Sequence, residues 1–231
     1  MFLQRLIRYP SQLSLLRRYT TNGVRPITSY FQLFPKSFPN GGPPKDSFLI
    51  NPRQLRREYR ELQSENHPDV LIGSSFLSDN RTNDSSKNDF SSVINRGYVT
   101  LKNPYTRIAH YIKLNHPDHL DITQDDVSKR IISEHQNKSM EDSLEYKNIL
   151  MEVLEAHEQL ELANSESEFE GLEIENNSRI ENSENLIEQV IQEGGSNWDE
   201  LMMLGIQLKY WVNIQNAIKE WEPGKPVHLT H

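Results

Sequence analysis

The sequence predicts an all-helical protein, and two observations carry that prediction. No run shows the apolar/polar alternation, bounded by hairpin turns, that marks half-buried strands. Apolar residues instead recur three and four positions apart in several long segments, the spacing of one face of an α-helix. The chain has no cysteine, which excludes disulfides, thiol nucleophiles and cysteine-held zinc or iron–sulfur clusters together. At 231 residues, 35% hydrophobic and with a mean hydropathy of -0.72, it suits one lean domain or two small ones rather than a single large apolar core. No window approaches the roughly eighteen consecutive apolar residues of a membrane span. A net charge of -8 argues against general nucleic-acid binding, which needs clustered positive charge.

The charge is uneven. Met1 to Lys45 contains no acid, whereas Arg5, Arg8, Arg17, Arg18, Arg25, Lys36 and Lys45 are basic. Phe2, Leu3, Leu6 and Ile7 alternate with Arg5 and Arg8 at helical spacing, which is the amphipathic, Arg-rich, acid-free pattern of a mitochondrial transit peptide over residues 1–20. A secretory signal would need an unbroken apolar stretch, which Arg5, Arg8 and Pro10 interrupt. Removing residues 1–20 takes away four arginines and shifts the net charge from -8 to -12. Basic surfaces are therefore expected among the partners of the mature chain.

Residues 35–47, with four prolines and two glycines, read as a loop. Asn51-Pro52 is a good cap and first-turn pair for a helix running to about Asn66. Its Leu55, Tyr59 and Leu62 fall within about 60° of one another. Arg53, Arg56, Arg57 and Arg60 lie on the opposite side. After a polar loop at 73–89, a second helix over 86–113 places Phe90, Ile94, Gly97, Leu101, Ile108 and Tyr111 or Ile112 on one stripe, with a bend or restart at Asn103-Pro104. The two segments suggest an antiparallel hairpin. Residues 115–140 are mixed and polar and read as a linker. A helix over 141–163 has a core stripe of Ile149, Val153, Ala156, Leu160 and Ala163, with Leu150, Leu154 and His157 turned about 100° from it. Leu172, Ile180, Ile187 and Val190 or Ile191 mark a helix within 172–192. A last helix, 198–221, carries Leu201, Leu204, Leu208, Trp211, Gln215 and Ile218. Three helices after residue 140 are most simply packed as a bundle.

His67-Pro68-Asp69 directly follows the helix with four arginines on one side, so the triplet extends a basic surface. A basic-faced helix, His-Pro-Asp, a loop and an antiparallel helix together resemble a J domain, the partner module of DnaK-type chaperones. Ser29 to Phe34 resembles its short opening helix, and Gly97 to Leu101 with Pro104 and Arg107 resembles the end of its third helix. Continuation into Tyr111-Ile112-Lys113-Leu114 resembles the HscB group, the J-type co-chaperones of iron–sulfur cluster biogenesis. Leu150 to Leu160 resembles the first C-terminal helix of that group, and Leu208 to Trp211 with Ile214 resembles the last. The resemblance spans roughly residues 28–221. It divides the chain into a J domain at 28–114, the linker, and a C-terminal three-helix domain at 141–222. A second triplet, His116-Pro117-Asp118, lacks a basic helix before it and reads as a Pro-Asp turn.

The resemblance implies a mitochondrial matrix co-chaperone with no cofactor and no enzymatic site of its own. His67, Pro68 and Asp69, guided by Arg53, Arg56, Arg57 and Arg60, would dock on the ATP-bound chaperone and promote hydrolysis there. No Walker-type loop exists in this chain. Leu150, Leu154 and Tyr210, with Glu155, Glu158 and Gln159 as polar supports, would hold the iron–sulfur scaffold protein; ordinary bundle packing is the competing account of these residues. A general mitochondrial J protein for import or folding is the alternative function, and it would not need the Leu150/Leu154/Tyr210 set. An enzyme built on His67/Asp69 or His116/Asp118, or a metal held by His110, His116 and His119, lacks both a nucleophile motif and helical ligand spacing.

Overall fold

The computed structural model describes residues 29–66, 84–194 and 197–221. The expected presequence and the triplet at 67–69 lie outside the described residues. Among those described, a 3-10 turn at Tyr30–Leu33 precedes seven α-helices: α1 (Pro52–Asn66), α2 (Asp84–Lys102), α3 (Pro104–Asn115), α4 (Asp125–Lys138), α5 (Met140–Leu162), α6 (Glu166–Gln192) and α7 (Trp198–Glu220).

Asn51 starts α1 by accepting the backbone N–H groups of Arg53 and Gln54 on its side-chain oxygen, at 3.1 and 3.2 Å. The apolar face then buries Leu55 and Leu62. Tyr59 stacks on Tyr98 at 4.1 Å and donates its hydroxyl to Asn95, while Gln63 and Ser91 exchange two hydrogen bonds. Partner numbers fall on α2 as they rise on α1, so the pair is antiparallel. The break expected at Asn103-Pro104 is present: Asn103 caps α3 by accepting from the N–H groups of Tyr105 and Thr106.

The aromatic segment at 30–38 closes the open end of this hairpin. Phe31, Leu33, Phe34 and Phe38 are all buried, and a Cβ on Gly97 would sit 3.0 Å from Leu33 Cδ1, so the absence of a side chain there lets α2 approach the turn. Gly42 is needed for a second reason: its φ is +103°, and a Cβ would lie 2.5 Å from Phe31 Cγ. Glu58, charged yet buried in α1, accepts the N–H groups of Lys36 and Ser37 and the Ser37 hydroxyl at 2.7–2.9 Å, which satisfies the carboxylate and fastens the turn to α1.

His110 on α3 fastens the same turn through a neutral ring. Its Nε2 accepts the Tyr30 N–H at 3.0 Å, and the ring stacks on Tyr30 at 4.6 Å. Burial and, secondarily, the nearby Lys113 charge push its pKa down to about 4, against a partial opposing pull from Asp121. The unfolded chain therefore takes up this proton before the folded one does, and the stability held above pH 6.5 is lost as pH falls from about 6.5 towards 4. The loss is expected to be on the order of 3 kcal/mol. Urea unfolding at pH 7 and pH 5 checks it: the midpoint should fall more steeply for the parent chain than for His110→Phe.

The stretch 115–140, expected to be a linker, is instead ordered and largely helical. Residues 116–124 are tied to α3 by Tyr105, whose hydroxyl donates to the Ile122 carbonyl at 2.8 Å, and by a Lys113–Asp121 ion pair at 2.6 Å. α4 then buries Ile131. Its weak sequence signal has a physical reason: only Val127, Ile131 and Ile132 are large apolar residues, and its N-cap, Gln124, makes no side-chain capping bond.

α5, α6 and α7 form the C-terminal bundle, with α4 packed beside α5 and α7. α6 starts six residues before the expected 172 because Ser165 and Glu168 form a capping box. α7 is the central helix. Leu201, Ile206, Leu208, Trp211, Ile214 and Ile218 are all buried, so both its predicted stripe and much of its other side are covered. Asn176 on α6 donates 2.9 Å bonds to the Trp211 carbonyl and to Gln215.

The two helical modules share a core. α3 packs along α7, where Gly205 lets Ile108 and Ile122 approach the helix backbone. Arg107, only 1% exposed, donates to the Leu101 carbonyl at 2.8 Å, pairs with Glu184 of α6 and lies 4.6 Å from the Phe48 ring centroid. Phe48 in turn donates its N–H to Glu188 of α6 at 2.6 Å. The 35–50 loop and the α2/α3 junction are thus bolted to one face of the bundle.

Candidate functional site

Two separate surfaces carry the residues predicted from sequence. On α1, Arg53, Arg56, Arg57 and Arg60 are exposed, on the side away from Leu55 and Leu62. Arg57 bonds Glu61 one turn on at 3.2 Å, and Glu61 is also taken by Lys36 at 2.5 Å. Among the described residues no acid pairs with Arg53, Arg56 or Arg60. The helix therefore presents three uncompensated guanidinium groups beside a shallow polar cleft lined by Tyr59, Arg60, Gln63, Ser91, Ser92 and Asn95. His67, Pro68 and Asp69 lie beyond the described end of that helix, so their geometry is not part of this arrangement.

The second surface is on α5 and α7. Tyr210 reaches Tyr146 with 3.1 Å between the two hydroxyl oxygens. Burial, with the Tyr210 hydroxyl as the next contribution, pushes the Tyr146 phenol well above its ordinary pKa. Along α5, Tyr146, Leu150, Leu154 and Glu158 follow at intervals of four and form one ridge. The ridge rises out of the core: Tyr146 is buried, Leu150 and Tyr210 are half-buried and packed on the core, and Leu154 is exposed, as are Glu155 and Glu158. Gln159 is half-buried. The structure thus brings Tyr210 to the foot of the ridge and leaves Leu154 as its uncovered apolar tip. Bundle packing accounts in part for Leu150 and Tyr210, and not for Leu154.

Sequence reasoning missed most of this surface. Met140, Leu144, Met151 and Leu162 join Leu154 on the outer side of α5, and all five are between 59% and 91% exposed. At 100° per residue the four fall within about 40° of one another, opposite the buried Val153 and Leu160. Their spacing was visible in the sequence, but the apolar residues of the inner stripe masked a second, outer one. A contiguous exposed apolar stripe is uncommon on a chain that stands alone, and this one is flanked by acidic residues.

The histidines considered as metal ligands do not share a site. His110 Nε2 is occupied by Tyr30. His116 packs edge-on against Trp198 and accepts the Asp118 N–H on Nδ1 at 3.0 Å, which makes the second His-Pro-Asp triplet a turn at the end of α3. His119, at a φ of 50°, places Nδ1 3.0 Å from the Lys113 carbonyl. Tyr30, Phe31 and Trp198 are packing residues.

Known proteins share this helical architecture. Residues 145–219 match the model of the HSCB C-terminal oligomerisation domain. The mitochondrial J-type co-chaperone JAC1 of Saccharomyces cerevisiae is 29% identical over 215 residues, covering 93% of this chain and 96% of that protein. A solved structure of the same yeast co-chaperone superposes with a TM-score of 0.60 over 89% of this chain and all of that one. The chain is similar to J-type co-chaperones of the HscB type. The mouse iron–sulfur cluster co-chaperone HscB is more distant, 24% identical over 75% of this chain and 63% of its own length. Human HscB shares the fold, with a TM-score of 0.56 at 21% identity over 86% of this chain and 84% of that one. In this chain the basic helix belongs to the hairpin module and the apolar ridge to the matched C-terminal domain, and the α3–α7 seam joins them.

Proposed function

We propose that this chain is an HscB-type J co-chaperone of the mitochondrial matrix that stimulates ATP hydrolysis by a DnaK-type (Hsp70) chaperone and brings the iron–sulfur cluster scaffold protein to it. It is a regulator, with the hydrolytic site in its partner. The single observation that carries the reading is the presence, on one body with a shared core, of a bare basic helix face and a separate uncovered apolar ridge. One surface suits an acidic partner; the other suits a partner with an apolar patch of its own. The relatives named as iron–sulfur co-chaperones favour this reading over a general role in import or folding.

Arg53, Arg56 and Arg60, exposed and lacking acidic partners among the described residues, steer the approach to the chaperone and set the orientation, and His67, Pro68 and Asp69 complete the contact. Stimulation follows if these contacts are stronger in the hydrolysis-competent state of the chaperone, because a ligand shifts an equilibrium only by its differential affinity. Leu154, Leu150 and Tyr210 anchor the scaffold, with Glu155, Glu158 and Gln159 at the rim. Holding both partners on one body raises their effective concentration for each other, which two weak contacts need.

The experiment is the chaperone's ATPase rate with the parent chain, His67→Gln and Arg56→Glu/Arg60→Glu. His67→Gln should abolish stimulation. The double reversal should weaken it at least about tenfold at low salt and by less at high salt, since exposed charges are screened. Stimulation by His67→Gln equal to that of the parent would overturn the assignment.

A further inference from the structure

We propose that His135, Asp142 and Glu145 form a binding site for a divalent first-row transition ion, of the zinc class, that clasps the junction between α4 and α5. A ligand atom from each residue lies within 4.8 Å of the others, with His135 and Asp142 half-buried and Glu145 exposed. The grouping is a product of the fold. His135 occupies the last turn of α4, and Asp142 the first turn of α5; the two helices are separated by Ser139 alone. Ser139 accepts the Asp142 N–H on its hydroxyl at 3.0 Å, which fixes where the first turn of α5 begins. Glu145 follows Asp142 by three residues and so projects from the same side of the helix.

Two things set the group apart from an ordinary set of surface acids. First, it contains an imidazole from a different helix, and an imidazole with two carboxylates is a donor set for zinc or a neighbouring transition ion rather than for magnesium or calcium, which take oxygen ligands. Second, its charges lack partners. Among the described residues no hydrogen bond or ion pair joins the three side chains to one another or to a cation, and Lys138, which lies between His135 and Asp142 in the chain, is engaged by Asp199 at 2.5 Å. Two carboxylates three apart on a helix repel each other, and the helix N-terminus offsets this only in part. An ion about 2.0–2.2 Å from each donor would remove the repulsion and leave one or more coordination positions for water.

Calorimetric titration of the metal-free full chain with Zn2+ tests the site. One equivalent should bind, excess Mg2+ should not displace it, and His135→Ala and Asp142→Asn should each weaken binding at least tenfold. Both variants alter partly exposed side chains, so their far-UV circular dichroism should match the parent, and the loss is then one of ligands rather than of fold. The control His228→Ala/His231→Ala should bind as the parent does. The proposal is overturned if Zn2+ does not bind, if His135→Ala binds with parental affinity, or if the His228/His231 variant is the one that loses binding.

Discussion

Replacing Arg107 with methionine is expected to destabilise the chain by about 3–5 kcal/mol, because it breaks a buried ion pair and leaves one partner behind. The guanidinium is fully enclosed and joins three parts of the molecule: the end of α2 through the Leu101 carbonyl, α6 through Glu184, and the 35–50 loop through the Phe48 ring. Burial pushes the guanidinium's pKa down and the Glu184 carboxyl's pKa up, in both cases against the attraction of the other group. Desolvation therefore outweighs the mutual attraction. The pair is costly to break and is not itself a large source of stability. Arg107→Met should lower the thermal midpoint by roughly 6–20 °C, whereas Arg107→Met/Glu184→Leu should recover at least half of the loss, since no uncompensated carboxylate remains. An additive double variant, worse than either single one, would contradict this account of the seam.

Leu154→Asp is expected to weaken scaffold binding at least about 30-fold, the equivalent of roughly 2 kcal/mol at one apolar anchor. Met151→Asp, on the outer stripe that the sequence reading did not single out, should cost about tenfold. Both side chains are exposed, so the unfolding midpoint should move by less than about 0.5 kcal/mol in either variant. That separation matters because Leu150 and Tyr210 also pack on the core, and their truncation mixes lost binding with lost stability. Binding of each variant to the scaffold protein, measured beside its urea midpoint, checks the pair. If Met151→Asp binds as the parent does, the contact is confined to the ridge of Leu150 and Leu154.

How far the sequence reached depended on how local each signal was. Leu55 and Leu62, or Val153, Ala156 and Leu160, recur at helical spacing, and the structure buries them; such patterns need no knowledge of the partner helix. Asn103-Pro104 marked the α2–α3 break because a capping side chain and a proline act within two residues. α4 escaped notice since it is held by a few contacts of Ile131 and by neighbouring α5 and α7, not by a strong stripe or cap of its own. The early start of α6 was legible in Ser165 and Glu168 but hidden by the acidic run that follows. Arg107 looked like part of a resemblance, and its ion pair with a residue 77 positions away could not be read locally. At the functional surfaces, the arginine face of α1 was readable because exposure and charge coincide. On α5, apolar residues on two sides of one helix left open which side was covered, and only packing against α7 decided it.

The most direct test of the central account, two partner surfaces on one joined body, is the chaperone's single-turnover ATPase rate with and without the scaffold client. The account predicts that the parent chain stimulates in both cases and most with the client. Leu154→Asp should keep the client-independent stimulation and lose the client-dependent increment, and His67→Gln should lose both. Full stimulation by His67→Gln, or an intact client increment in Leu154→Asp, would contradict it.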